Sequence, residues 1–114
     1  MPVAPRVPKP QNRIRIGTIN IPADFVKAGD DLVINLDFEN SGDLDLDDVS
    51  ATVVIPELGI RKKVGPFDVD KSNDASRALM LLIPEDAEPG EYTARITISN
   101  DKLKRVRHRP VIIK

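Results

Sequence analysis

The chain has 114 residues, enough for one domain with one core and no covalent staple. It has no cysteine, which excludes disulfides and thiol chemistry, and its formal net charge of −1 gives no global field to draw in nucleic acid or an anionic membrane. No run of about eighteen apolar residues offers a transmembrane helix, and Met1-Pro2-Val3-Ala4-Pro5 lacks the apolar region of a secretory signal. The charges are nevertheless sorted along the chain. Residues 24–48 carry nine acids against Lys27, and residues 95–114 carry seven bases against Asp101. Such segments either lie side by side and neutralise each other or dock identical modules head to tail.

Residues 1–12 hold Pro2, Pro5, Pro8 and Pro10, a spacing that favours polyproline II and reads as a semi-rigid linker or tail. The domain proper is expected over 13–114. Ile14 and Ile16 alternate, then Ile19 and Ile21 do so one residue out of phase, so a bulge or a change of sheet is expected at Gly17. Lys27-Ala28-Gly29-Asp30 is a turn. Leu32, Ile34, Leu36 and Phe38 alternate with polar residues and Val33, the pattern of a half-buried strand. Asn40-Ser41-Gly42-Asp43 is a turn: asparagine bonds the backbone locally and glycine tolerates positive φ.

Val49, Ala51, Val53 and Ile55 form the next alternation, ended by Pro56. Ile60 to Val64, with Arg61, Lys62 and Lys63, reads as a short basic edge strand closed by Gly65-Pro66. Ala78 to Ile83 is almost continuously apolar, the pattern of a strand buried from both sides or covered by the neighbouring linker. Tyr92, Ala94, Ile96 and Ile98 alternate after Pro89-Gly90, and a last strand is expected from roughly Leu103 to Ile113. About seven strands with regular turns and no helical period predict an all-β, antiparallel immunoglobulin-like sandwich; a closed barrel is the alternative.

The stretches FENSG (38–42), VSATVVIPELG (49–59), VGPFDV (64–69) and LLIPEDAEPGEYTARITIS (81–99) resemble the CARDB-like and surface-layer-associated immunoglobulin-like domains of archaeal and bacterial envelope proteins. The resemblance rests on Asn40-Ser41-Gly42 after the second strand and Pro89-Gly90-Glu91-Tyr92 before the penultimate one. It implies a non-catalytic structural and adhesion module at the cell surface, part of a larger protein, whose partners are other protein modules or identical subunits. A soluble adaptor that binds a peptide along an exposed edge strand, with a cytoplasmic location, is the alternative. Tyr92, the sole tyrosine, has the setting of a tyrosine corner, with its ring in the core and its hydroxyl on nearby backbone.

Chemistry is sparse. Asp43, Asp45 and Asp47 share the spacing of the first calcium ligands of an EF-hand, but the sixth position is Asp48 and the twelfth Val54, where that loop needs glycine and glutamate. Alternation with Leu44 and Leu46 suggests instead a strand with those aspartates on one outward face. A weak calcium site on Asp43, Asp45, Asp47 and Asp48 is the one cofactor expectation. A single histidine, His108, and no nucleophile elbow argue against an enzyme or a small-molecule substrate. Lys102, Lys104, Arg105, Arg107 and Arg109 form a basic strand without the interleaved aromatics that stack nucleic-acid bases, so a protein interaction surface is the expectation.

Overall fold

The structure, a computed structural model, describes residues 12–114. The proline-rich segment therefore lies outside the described residues except for Asn12. Seven strands follow one another: β1 (Ile14–Asn20), β2 (Asp31–Asn40), β3 (Leu46–Ile55), β4 (Ile60–Val69), β5 (Asp74–Leu82), β6 (Gly90–Ser99) and β7 (Lys104–Ile113). They form a three-stranded sheet, β1-β2-β5, and a four-stranded sheet, β4-β3-β6-β7, with antiparallel pairing throughout. The chain is an immunoglobulin-like β-sandwich.

Period-two patterning explains the core directly. Leu32, Ile34, Leu36 and Phe38 of β2 face Val49, Ala51, Val53 and Ile55 of β3 and Ala94, Ile96 and Ile98 of β6, all buried in one cluster. One long side of the sandwich, between β4 and β5, is closed by aromatic contact. The Phe38 and Phe67 rings lie 5.6 Å apart, and the Arg77 guanidinium sits 4.3 Å over the Phe67 ring. On the other side, the segment after β1 crosses between sheets. Val26 makes a parallel bridge to Ile113, its N–H donating to the Ile112 carbonyl at 3.0 Å and its carbonyl accepting from the Lys114 N–H at 2.9 Å.

The structure sharpens or corrects four local readings. The slip at Gly17 is a bulge in β1, between Ile16 and Thr18, while the change of sheet comes later, at Val26. The basic strand β4 does lie at a sheet edge, but it does not stop at Gly65-Pro66; it runs to Val69 through shifts in its pairing with β3. Gly65 carries φ +114°, and a Cβ there would stand 2.6 Å from the Val49 carbonyl oxygen, so the site requires glycine. The third correction concerns β5, which is covered on one side only. Leu79 and Leu81 are buried, whereas Met80 and Leu82 are 58% and 67% exposed on the outer face. Finally, Gly42 is not among the glycines with positive φ; that conformation falls at Gly29, Gly59 and Gly65.

Candidate interaction faces

Two polar side chains named by the sequence lock opposite ends of the sandwich. Asn40, 1% exposed, donates through Nδ2 to the carbonyl oxygens of Leu44 at 2.7 Å and Val69 at 2.9 Å. Its Oδ1 accepts the Gly42 N–H at 3.0 Å. The end of β2, the turn into β3 and the end of β4 are thereby tied to one amide whose hydrogen-bonding capacity is well used. At the other end Tyr92 is half-buried against the core, and its hydroxyl donates to the Glu88 carbonyl oxygen at 2.7 Å. Gly90 opens β6 two residues earlier, so the strand entry and the loop before it are fastened together.

The acidic stretch is not a continuous strand. β3 begins at Leu46, which is buried, and Asp43 and Asp45 lie in the turn before it. The expected single outward face of Asp43, Asp45 and Asp47 is therefore broken. Asp48 adopts φ 56°, which turns the backbone at a register shift, and its N–H donates to Asp68 Oδ1 at 3.2 Å. Asp45 Oδ1 accepts the Lys71 N–H at 2.8 Å. Asp45, Asp47 and Asp48 line a hollow of about 150 Å³ together with Asn12, Asn100, Asp101 and Lys102. Among the described residues no group of three or more acidic, histidine or cysteine side chains is placed to hold a metal ion. Nor does any described helix have the length and apolarity to cross a membrane.

The expected basic surface is divided by strand parity. Arg105, Arg107 and Arg109 pair with Ile98, Ile96 and Ala94, so they occupy the core-facing side of β7, at its edge. Inward-side charges on an edge strand discourage pairing with another sheet. Lys104 and His108, opposite Ser99 and Arg95, occupy the outer side. Lys102 stands beside the acidic hollow.

Register then assembles a basic patch that no single segment of sequence contains. One row across the four-stranded sheet reads Arg61, Val54, Arg95, His108; the next reads Lys63, Thr52, Thr97, Val106; a third adds Ser50, Ser99 and Lys104. Arg61, Arg95 and Lys104 surround a shallow depression of about 430 Å³ floored by Thr52, Val54, Thr97 and Ser99. Arg61, Lys63, Arg95 and Lys104 share this outer face with Glu91, opposite Ile112, and with the exposed Asp68 of β4 and Asp47 of β3, so the cations form a local patch on a face of mixed charge. Among the described residues none of those four cations forms a salt bridge.

The outer face of the three-stranded sheet is acidic. Asp31, Asp37 and Glu39 of β2 and Asp74 of β5 stand against Arg15 of β1, a net −3. Arg15 Nε meets Glu39 Oε1 at 2.6 Å, and the Ser76 hydroxyl donates to Asp37. Val33, Ala78, Met80 and Leu82 share this face. β2 and β7 thus belong to different sheets, and the acidic and basic segments do not neutralise each other as adjacent strands.

Fold and surface define an immunoglobulin-like sandwich with an acidic outer face on its three-stranded sheet and a basic patch on its four-stranded one. No protein-family model and no curated protein matches the chain. Solved structures do match in fold. The sporulation control protein Spo0M of Bacillus subtilis aligns with TM-score 0.64 and 10% identity, covering 89% of this chain and 49% of that one, so the chain spans about half of Spo0M. A Niemann-Pick type C2 protein from the Japanese carpenter ant aligns with TM-score 0.64 and 12% identity over 87% of this chain and 91% of its own. The β-glucosidase EmGH1 from Erythrobacter marinus aligns with TM-score 0.61 and 16% identity, covering 90% of this chain but 16% of the enzyme.

Proposed function

We propose that this chain is a non-catalytic structural and adhesion module of a cell-envelope protein of surface-layer type, which spaces neighbouring domains and contacts other protein modules. The carrying observation is an acidic outer face on the three-stranded sheet and a basic patch of Arg61, Arg95 and Lys104 on the four-stranded one, two distinct surfaces for protein contacts. The fold's occurrence as 16% of a longer chain in EmGH1 supports use as one unit among several.

An antibody to this domain, applied to fractionated source cells, tests the reading. The expected result is a band well above 12.6 kDa in the envelope fraction. A 12.6 kDa band in the cytosol overturns it and favours the second reading, a peptide-binding adaptor. That second reading rests on β5, an edge strand with Met80 and Leu82 exposed beside its free backbone edge.

A further inference from the structure

We propose that the β5 edge from Ala78 to Leu82 takes up an extended segment of a partner protein as an added strand, apolar where it lies beside Met80 and Leu82 and acidic where it meets Lys62 of β4. The inference rests on the free edge named in the adaptor reading and states its occupant. The strand can come from a neighbouring module of an envelope protein as well as from a free partner, so the cell compartment does not decide it. Hydrogen bonds at both ends of the β2–β5 pair fix which backbone groups are free. The Ile83 N–H donates to the Asp30 carbonyl and the Asn40 N–H to the Asn73 carbonyl, each at 2.9 Å. The register between them runs without a shift. Antiparallel neighbours exchange both bonds at every second pair, so Ala75, Arg77, Leu79 and Leu81 bond β2. Ser76, Ala78, Met80 and Leu82 therefore aim their N–H and C=O groups away from the sheet. The Ser76 carbonyl is taken by the Arg77 guanidinium at 2.8 Å. Among the described residues no side chain or loop bonds the edge groups of Ala78, Met80 or Leu82.

The other three edges are closed, each differently. Along β7 the guanidinium groups of Arg105, Arg107 and Arg109 bond the carbonyl oxygens of Lys104, Val106 and His108 at 3.2, 2.9 and 2.8 Å. Pro110 follows in the same parity without an N–H to offer, and Val26 takes the Ile112 carbonyl and the Lys114 N–H. β1 is bulged at Gly17; β4 pairs through register shifts around Gly65-Pro66 and turns Lys62, opposite Val53, to the core side. Bulges, prolines and inward charges all blunt an edge. From Ala78 to Leu82, β5 has none of these, and its apolar side chains stand on the outer face beside the free groups.

Lys62 decides the occupant. β4 and β5 flank the same side of the sandwich and run in opposite directions, with Phe67 against Arg77. Lys62, five residues before Phe67, therefore stands near the level of Met80 and Leu82. It is exposed and forms no salt bridge among the described residues. A strand added to β5 passes this ammonium with its inward side chains, where a carboxylate finds a partner and a lysine is repelled. A second copy fits less well. Pairing β5 with β5 across a two-fold brings the β4 edges of both copies, each with its Lys62, onto one flank.

Fluorescence anisotropy of the full 114-residue chain with a labelled peptide of about eight residues, alternating valine and glutamate, tests the proposal. Saturable binding is expected, with an alternating valine–lysine peptide about tenfold weaker. Amide exchange should slow at Ala78, Met80 and Leu82 and at no other edge. Lys62→Glu, an exposed change that should melt as the wild type does, is expected to reverse the preference between the two peptides. Met80→Gln with Leu82→Gln should weaken the valine–glutamate peptide by a similar factor. Absence of saturable binding overturns the proposal. So does slowed exchange at β1, β4 or β7 in place of β5, or a Lys62→Glu chain that keeps the wild-type preference. A chain that sediments as a dimer with those three amides already protected would give the edge to a second copy, and equally overturn it. None of these outcomes alters the cell-fractionation result, so the strand-binding edge and the envelope role fail separately.

Discussion

Asn40 and Tyr92 do similar work at opposite ends of the sandwich, and their difference shows what burial demands of a polar lock. Both lie next to a glycine turn, and both bond backbone carbonyls. Asn40 is sealed from water and joins three chain segments through three hydrogen bonds, one of them to Val69, twenty-nine residues away. Tyr92 is half-buried and reaches back four residues through one bond. When Asn40 is lost, two carbonyls and an N–H are stranded beside the core; when the Tyr92 hydroxyl is lost, the Glu88 carbonyl can turn to water. The same chemistry should therefore carry unequal energies.

The largest break in that comparison is Asn40→Ala. It should cost about 3 kcal/mol, the sum expected for leaving buried partners unsatisfied. A urea titration should show a lower midpoint at unchanged slope. Loss below about 1 kcal/mol would mean that water replaces the amide, and Asn40 would then be no more than a turn residue. Tyr92→Phe sharpens the other side. It removes the hydroxyl but keeps the ring against the core, with an expected cost of about 1 kcal/mol. If it equals the Asn40 variant, exposure is not what separates the two locks. Asp45→Ala comes next. It removes the exposed carboxylate that accepts the Lys71 N–H, and about 0.5 kcal/mol is expected in the same titration.

The local parts of both locks were legible in the sequence, Asn40 with its turn and Tyr92 with the loop before it, whereas the bond from Asn40 to Val69 spans twenty-nine residues and was not. The strand alternations were legible for the same reason. What the sequence hid were properties of register. Arg61, Lys63 and Arg95 lie as much as thirty-four positions apart and become one face only through the pairing of β4, β3 and β6. The reverse holds for Arg105, Arg107 and Arg109: adjacent in sequence to Lys104, they fall on the other side of the same strand because parity alternates. The run Ala78 to Ile83 read as covered on both sides because composition alone does not tell a buried strand from an edge strand with an apolar outer face. Gly65-Pro66 read as a terminator because a bulge and a turn draw on the same residues.

The smallest expected effect concerns the aspartates nearest Asn40, and it turns on position more than on number. Calcium binds tightly where several oxygens converge at about 2.4 Å. Here Asp45 is occupied with the Lys71 N–H, Asp48 stands at a kink, and the hollow they line with Asp47 and Asp101 also holds Lys102. Lys102 on the wall of the hollow adds positive charge that opposes a cation there, without an ion pair to the aspartates among the described residues. Melting curves in millimolar calcium and in EDTA should therefore coincide, because a ligand stabilises only in proportion to ln(1 + [L]/Kd). A rise in the wild-type midpoint would show that the turn rearranges to gather its aspartates, and would revive the calcium reading of Asp43, Asp45, Asp47 and Asp48. Lys102→Ala separates the two causes of a null result. If calcium then stabilises the variant, the lysine was the competitor; if it does not, the spread of the carboxylates along the turn and the β3 bulge is sufficient reason.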